Sequence, residues 1–303
     1  MALSKLAAIN SLVDFHATYS NEAEFVIDLM AAGIIRSTRN CSKCGSLMNL
    51  RNRKGIPEWR CRSNRSSDCS CKSIKADSWF QNSNLSLSVA FKLFIAIINK
   101  WSGSQIEHEF KMSPTTISDW KNMVREVCER IRKSYPPLGG PGCIIEIDET
   151  AVHSRKYGRG EIKADTVWIF GGIQRNTRNI FAMVVPDRTA RTLVPILKRY
   201  VDPQSTVISD SWKAYAKLKE HFRRHEQLCH NTEFSRTADD GLQVTTNSIE
   251  AAWKRLKDPI KRANGTSDEL LPSYISEFIV RERGKRRRRI FRTILGGTCK
   301  DLQ

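Results

Sequence analysis

"CIIEIDETAVHSRK", residues 143–156, decides the fold because it places three carboxylates inside an isoleucine-rich run. The run predicts a β-strand that carries Glu146, Asp148 and Glu149. Burying an unpaired carboxylate is costly, so acids in such a strand need hydrogen bonds, a basic partner or a metal ion. Which of these partners they have decides what the protein can do.

The segments after this strand predict an α/β fold. "DTVWIFGGI" and "NIFAMVV" are strand-like runs joined by the polar turn "QRNTRN", and "STVIS" is a short buried strand. "TARTLVPILKRY" and "DSWKAYAKLKEHF" have helical spacing. Three consecutive strands, a helix, a strand and a helix form the first part of a ribonuclease-H-like fold, which we expect over residues 143–283.

Two acids of this domain are expected to share one pocket. Asp148 lies in the first strand and Asp210 ends the later strand, so their carboxylates meet where the two strands lie side by side. Two such acids repel each other unless they share a divalent cation, and oxygen ligands suit Mg²⁺ or Mn²⁺. Alternatives are that Glu146 or Glu149 is the ligand in place of Asp148, and that Asp210 is a helix N-cap.

A third acid is expected from "TTNSIEAAWKRLKDP", which predicts a helix. Asn247 suits the N-cap and Glu250 the third helical position, with Lys257 on the same face and Pro259 as the helix end. Glu250 is the candidate metal ligand, and its alternative role is that of a capping-box acid. Four further side chains near these acids are predicted to pack in the core, stack on a base or line the site: His153, Trp212, Tyr215 and Trp253.

Five of the nine cysteines fall close together and begin with a C-x-x-C. The N-terminus has no secretory signal and no apolar run is long enough to cross a bilayer, so we expect an unsecreted protein without a membrane segment. Clustered cysteines in such a protein indicate a metal site rather than disulfides. A zinc-held β-ribbon is expected over residues 37–82, with Cys41, Cys44, Cys61 and either Cys69 or Cys71 as ligands, Cys69 being favoured.

Residues 83–134 predict a helix-turn-helix. A long apolar helix, a break near Ser102 and a short helix precede "SPTTISDW", in which Ser113 suits the N-cap and Pro114 the first helical position. The alternative is a bundle of three helices without a nucleic-acid role. The residues predicted to face DNA are Thr115, Thr116, Ser118 and Lys121.

Charge points to a polyanionic partner. The chain has 50 Lys and Arg against 32 Asp and Glu, a net charge of +18, and the basic excess is greatest over residues 41–80 and 261–303. "RERGKRRRRIFR", residues 281–292, predicts a DNA-backbone contact through Arg286, Arg287 and Arg288, a nuclear-import signal, or a solvated tail. The remaining segments are opening helices over residues 1–36, a linker over 135–142 and a basic tail over 284–303.

Several ordered blocks resemble the DDE transposases of the bacterial insertion-sequence group of the ISXO type, and more closely their eukaryotic Merlin-like relatives. The blocks are "SIKADSWF" (73–80), "IEIDETAV" (145–152), "VWIFGGIQR" (167–175), "ISDSWKAY" (208–215), "TNSIEAAWKRLK" (246–257) and "YISEFIVRER" (274–283). They spread over about four-fifths of the chain. One departure is "CHNTEF" (229–234), with His230 at the matching position, where the family often has "NHS..F".

The resemblance implies an enzyme, a DNA transposase that cuts and joins strands at terminal inverted repeats and in target DNA. It implies Asp148 and Asp210 as catalytic acids holding Mg²⁺ or Mn²⁺, Glu250 or else Asn247 as the third catalytic residue, and Lys257 as a phosphate contact. It further implies nuclear localisation and at least a homodimer on double-stranded DNA, because two ends are held at once. Alternatives are a transposase-derived DNA-binding regulator without turnover and a host nuclease.

Overall fold

The structure is a computed structural model that describes residues 2–53, 56–62, 69–152, 166–229, 235–262, 265–284 and 287–298. It divides into two units, one of Met1–Val127 with Arg286–Gln303 and one of Cys128–Lys285. Within the described ranges, none of the helices combines the length and the apolar character that a bilayer crossing requires.

The first unit opens with three short helices, α1 (Ala2–Ala8), α2 (Leu12–Thr18) and α3 (Glu22–Ala31). Ser11 and Asn21 cap α2 and α3, since each side chain accepts a backbone N–H three residues on. An antiparallel sheet of three strands follows, in the order β1 (Asn49–Arg53), β2 (Ile56–Cys61) and β3 (Ser70–Ser73). This sheet is the β-ribbon that the sequence predicts.

The predicted helix-turn-helix segment forms α4 (Leu87–Ile98), α5 (Gly103–Phe110) and α6 (Pro114–Lys133). Ser102 and Gln105 form a capping box at the start of α5, and Lys111 ends that helix in the left-handed conformation with φ of 52°. Ser113 accepts the Thr116 N–H, so it is the N-cap that the sequence predicts for α6. Helix α6 runs across the boundary between the two units.

The second unit is built on a five-stranded mixed sheet with the order β6-β5-β4-β7-β8. β4 pairs antiparallel with β5 and parallel with β7, so the strand that carries the three acids is central. The strands are β4 (Ile144–Val152), β5 (Val167–Gln174), β6 (Ile180–Val185), β7 (Thr206–Asp210) and β8 (Arg224–Leu228), with a separate two-stranded ribbon of β9 (Arg236–Thr237) and β10 (Gln243–Val244).

Helices cover both faces of this sheet. Helix α7 (Ala190–Tyr200) packs on one face with Ile145 and Ile147, and helices α8 (Asn247–Arg262) and α9 (Leu271–Gly284) pack on the other. Alternation along β4 therefore points Glu146 and Asp148 toward α8 and the two isoleucines toward α7. The result is a three-layer α/β unit.

Two local predictions were wrong. "DSWKAYAKLKEHF" forms two 3₁₀ turns, Lys213–Tyr215 and Leu218–Glu220, rather than an α-helix. Tyr215 ends the first turn and Leu218 begins the second, and both side chains lie in the core. Helix α8 continues past Pro259 to Arg262, because a proline near the end of a helix removes only one backbone hydrogen bond.

The segment predicted as a basic tail contains helix α10 (Arg287–Thr298), which packs against α1 and α4. Phe291, Ile294 and Leu295 are buried at helical spacing. Their apolar stripe explains the helix, which the dense positive charge of the run conceals in the sequence.

Candidate active site

Glu146 is fully buried and holds the start of helix α8. Its carboxylate accepts the backbone N–H groups of Ser248 and Ile249 at 2.7 and 3.2 Å and the Ser248 hydroxyl at 3.0 Å. Arg175 Nε also donates to it, at 2.6 Å. A carboxylate at a helix N-terminus satisfies backbone donors and the helix dipole. Glu146 therefore has the hydrogen bonds and the basic partner that a buried acid needs, and it is committed to the fold.

Asp148, Glu149 and Asp210 form a cluster in which one carboxylate oxygen of each lies within 4.8 Å of the others. The parallel pairing of β4 with β7 ends at Glu146 and Ile208. Beyond that point both strands continue unpaired to each other, which leaves room between them for the three carboxylates. The structure thus brings together the two acids that the sequence pairs, with Glu149 as the third member.

Each acid of the cluster is held by an aromatic residue. Trp253 Nε1 donates to Asp148 Oδ2 at 3.0 Å, the Trp212 backbone N–H donates to Asp210 Oδ1 at 3.0 Å, and the Tyr215 hydroxyl donates to Glu149. These contacts fix the carboxylates without neutralising them. Trp253 and Tyr215 are core residues as expected, yet each also orients an acid.

Trp253 reaches Asp148 across Gly171, which pairs with Asp148 on β5. A Cβ at Gly171 would lie 2.7 Å from Trp253 Cη2 and 2.4 Å from the Phe181 carbonyl oxygen. The glycine therefore makes room for the indole that orients the first acid. The two adjacent glycines in "FGGI" are the only trace of this packing in the sequence.

The cluster retains protons at a pH where ordinary carboxyls are ionised. Burial, together with the charges of Glu149 and Asp210, raises the pKa of Asp148 to about 7. Burial also raises the pKa of Glu149 to about 7, against the Tyr215 hydrogen bond, which lowers it. Because burial and neighbouring charges destabilise the ionised form of these carboxylates, a bound cation would stabilise them. Three close oxygen donors are a donor set that Mg²⁺ or Mn²⁺ fits.

The third acid expected from α8 lies outside this cluster. Glu250 accepts the Thr246 hydroxyl at 2.9 Å, and the Glu250 N–H donates to the Thr246 carbonyl at 3.1 Å. Thr246 is therefore the N-cap, and Asn247, predicted as the cap, is the exposed first residue of the helix. Burial and the charge of Lys261 lower the pKa of Lys257, and the charge of Asp148 partly offsets this lowering. Lys257 is therefore near enough to Asp148 to interact with its charge. The roles of Glu250 and Asn247 stay predictions.

Four cysteines of the first unit form a second cluster. The Sγ atoms of Cys41 and Cys69 are 3.6 Å apart and those of Cys44 and Cys61 are 3.4 Å apart, with all four within 4.8 Å. Sulfurs on a tetrahedral zinc ion lie about 3.8 Å apart, given Zn–S bonds of about 2.3 Å. Cys71 is exposed and donates its thiol to Glu58 Oε2 at 3.1 Å. The four thiols have the number and spacing that zinc requires, with Cys69 rather than Cys71 among them.

The residues predicted to face DNA on α6 differ in exposure. Thr115 and Ser118 are exposed, whereas Thr116 and Lys121 are half-buried, and the Thr116 hydroxyl is 3.0 Å from that of Ser113. Arg287 and Arg288 lie in α10, in a turn whose side chains are not described. Three residues with predicted roles lie outside the described residues: His153, His230 and Arg286.

Comparisons with known proteins address the second unit. Residues 137–282 match the family model of the ISXO2-like transposase domain, and this stretch contains the whole acid cluster together with Glu250 and Lys257. An "Uncharacterized transposase-like protein" of Haemophilus influenzae is 28% identical over 98 residues, which are 32% of this chain and 76% of that protein.

A similarity to a solved structure was also found. A chain of the cryo-EM structure of the simian T-cell lymphotropic virus intasome in complex with PP2A regulatory subunit B56 gamma is 15% identical, with a TM-score of 0.30. The similarity covers 61% of this chain and 64% of that one.

Proposed function

We propose that this protein is a DNA transposase that binds the terminal inverted repeats of its element and cleaves and joins DNA strands with divalent metal ions. The convergence of Asp148, Glu149 and Asp210 inside the stretch that matches the transposase family model carries the proposal. A transposase function is what the family match supports. Cleavage and strand transfer are the finer steps that we add from the chemistry of the cluster.

The fold supports this proposal. A sheet in which the first three strands are antiparallel neighbours and the next two are added parallel beside the first is the strand order of ribonuclease-H-like domains. Such domains hold metal ions on acids of two neighbouring central strands, and here Asp148 lies within β4 and Asp210 ends β7. We therefore propose a ribonuclease-H-like fold for the second unit.

Different residues of the second unit would bind the cation and orient its ligands. Asp148 and Asp210 would hold the cation, with Glu149 or Glu250 as third ligand, and Trp253, Tyr215 and the Trp212 backbone keep the carboxylates in place. Bound divalent ions lower the pKa of an attacking hydroxyl and stabilise the leaving oxygen.

The proposed reaction has two steps of the same type. In cleavage, a water oxygen loses a proton and bonds to phosphorus while the bond from phosphorus to the 3′ oxygen breaks, and that 3′ oxygen takes up a proton. In joining, the freed 3′-hydroxyl loses its proton, its oxygen bonds to the phosphorus of a target phosphodiester, and the displaced 3′ oxygen of the target takes up a proton.

The first unit supplies the proposed DNA recognition. The four-cysteine ribbon would bind zinc, and the exposed start of α6, with Thr115 and Ser118, would contact DNA. We further propose assembly as at least a homodimer, because two element ends are held at once. We also propose that the protein is related to the Merlin-like transposases. Residues 281–292 would direct its import, and it would act in the nucleus.

The decisive experiment incubates the purified chain with Mg²⁺ and DNA that carries the ends of its own element. We expect nicks at the junction with flanking DNA, lost in Asp148→Asn and Asp210→Asn and kept in Asp239→Asn, an exposed acid of the same unit. Specific binding without nicking would instead make the protein a DNA-binding regulator. Cutting regardless of the ends would make it a general nuclease.

A further inference from the structure

The guanidinium of Arg188 is held by two tryptophan rings. Its Cζ lies 3.8 Å from the centre of the Trp168 ring and 4.6 Å from that of Trp212. Trp212 Nε1 also donates to the Arg188 carbonyl oxygen at 2.9 Å, which locks that ring to the backbone of the same residue. Stacked indoles restrain a guanidinium through its faces and leave the in-plane N–H groups free to donate.

This stack stands beside the acid cluster. Trp168 pairs on the sheet with Ala151, two residues after Glu149, and Trp212 follows Asp210 by two residues and donates its N–H to that carboxylate. Burial raises the pKa of Glu149, and the positive charge of Arg188 partly offsets that rise. All of these residues belong to the second unit.

Arg188 differs from other arginines of the second unit in what its side chain contacts. Arg175, Arg255 and Arg281 each form an ion pair, with Glu146, Glu282 and Glu277 respectively. Within the described part of the chain, the Arg188 side chain has no hydrogen bond or ion pair, and its contacts are with the two rings. The stack thus holds a charged donor fork near Glu149 of the acid cluster without forming an ion pair with it.

A fork of this kind fits a ligand that brings negative charge on paired oxygens. A phosphodiester has two non-bridging oxygens with that geometry, and arginine recognises them through parallel N–H donors. Carboxylates alone would repel such a phosphate, so a fixed positive charge beside them also offsets that repulsion.

We propose that Arg188 binds a non-bridging oxygen of the DNA phosphate on which the acid cluster acts. The inference rests on the proposed function and names a substrate contact within it. Negative charge on those oxygens must be stabilised during phosphoryl transfer, and a preorganised arginine does this without moving. Arg188 is then a substrate-binding residue, and Trp168 and Trp212 position it.

The test compares Arg188→Ala and Arg188→Lys with Arg199→Ala, whose arginine stacks on Tyr200 at the other end of α7, 5.6 Å from the ring centre. Binding is measured by fluorescence anisotropy in Ca²⁺ on two duplexes that carry an element end. One has a natural phosphate at the junction with flanking DNA, and the other has a neutral methylphosphonate there. Thermal denaturation checks that each variant folds.

We expect Arg188→Ala to weaken binding of the natural duplex about tenfold and to reduce the salt slope by about 0.9, the value of one lost phosphate contact. On the methylphosphonate duplex the same variant should match the wild type. Arg188→Lys should recover little of the lost affinity, since lysine lacks the paired N–H donors of the guanidinium. It replaces the alanine variant in the comparison if Arg188→Ala fails to fold. Arg199→Ala should stay within twofold of the wild type on both duplexes.

The inference is overturned if the Arg188 variants bind the natural duplex as tightly as Arg199→Ala does. It is also overturned if they lose the same factor in affinity on both duplexes. Cleavage in Mg²⁺ is scored separately, and there Arg188→Ala should be slower by about 100-fold. If the wild type fails to cleave but the difference between duplexes persists, the proposed catalysis fails and the phosphate contact stands.

Discussion

Asp148 makes the stability of the metal-free protein depend on pH. Its pKa is about 7 in the folded chain, well above the value of about 4 for an unfolded Asp. The folded state therefore holds a proton that the unfolded state has released between those values. The contribution of Asp148 to the free energy of unfolding is fully present below about pH 4, and it is lost as the pH rises through about 7.

Asp148→Asn should remove this loss, because the amide mimics the protonated acid and still offers an oxygen to Trp253 Nε1. Without divalent ions, we expect the melting advantage of the variant over the wild type to be about 5–10 °C larger at pH 8 than at pH 5, because the wild type loses about two further pH units of proton-linked stability between those values. Thermal denaturation in EDTA at both pH values measures this. Equal melting shifts at the two pH values would show that Asp148 does not retain its proton.

The third metal ligand can be identified without any reaction. Since Asp148, Glu149 and Asp210 are the acids that converge among the described residues, Glu149→Gln should weaken Mn²⁺ binding to the DNA-free chain about tenfold or more. Glu250→Gln should bind Mn²⁺ like the wild type, because Glu250 bonds to Thr246 instead. Calorimetric titration distinguishes them, with Asp210→Asn as the reference for a lost ligand. Weak binding in Glu250→Gln alone would favour the acid that the family resemblance indicates.

Sequence could predict the pairing of Asp148 with Asp210, because Asp148 lies within one predicted strand and Asp210 ends a later, buried strand. It could not distinguish the roles of Glu146 and Glu149. The role of Glu146 is set by its hydrogen bonds to the start of helix α8, about a hundred residues later in the chain. The role of Glu149 is set by its hydrogen bond from Tyr215. Arg188 left no trace in the sequence, since its two ring contacts come from separate elements.

At the scale of elements, the cysteine ribbon allows a comparison between two thiols that are two residues apart in the sequence, Cys69 and Cys71. Cys69→Ser should lose bound zinc and leave the ribbon unfolded, because structural zinc supplies the folding energy of such small sheets. Cys71→Ser should keep about one zinc per chain, since that thiol bonds to Glu58. Metal analysis by mass spectrometry of both variants measures this, and zinc loss from Cys71→Ser alone would contradict the ligand set.

In the five-stranded sheet, the strands with apolar patterns were predictable and the polar edge strand was not. Strands β4 to β7 are isoleucine- and valine-rich and lie where the sequence places them. Strand β8, "RHEQL", has no such pattern because it is an edge strand. Its charged side chains pair locally, since Glu226 forms ion pairs with Arg224 of the same strand and with Arg236 of β9.

At the scale of the whole molecule, the chain leaves the first unit after Val127, builds the second, and returns to the first with α10. A linear list of domains cannot express such a return, which is why residues 284–303 were expected to be a tail. The basic run from 281 to 292 thus spans two helices, α9 and α10, that belong to different units.

Phe291 is where this return can be tested. The ring is 1% exposed and lies 5.1 Å from the ring of Phe94 and 5.8 Å from that of Phe91. Phe291→Ala should cost the first unit about 3–5 kcal/mol, because it empties a packed aromatic site. The exposed neighbour Arg292 should tolerate alanine within about 0.5 kcal/mol.

Hydrogen exchange read by mass spectrometry measures where stability is lost. In Phe291→Ala, we expect faster exchange in α1 and α4, which α10 contacts, and unchanged exchange in strands β4 to β8. Arg292→Ala should match the wild type in both units. If α1 and α4 keep their protection in Phe291→Ala, residues 287–298 are a solvated tail in solution. If they lose it, the C-terminal basic segment is a structural part of the unit that holds the helix-turn-helix, and deleting it to test nuclear import would also unfold that unit.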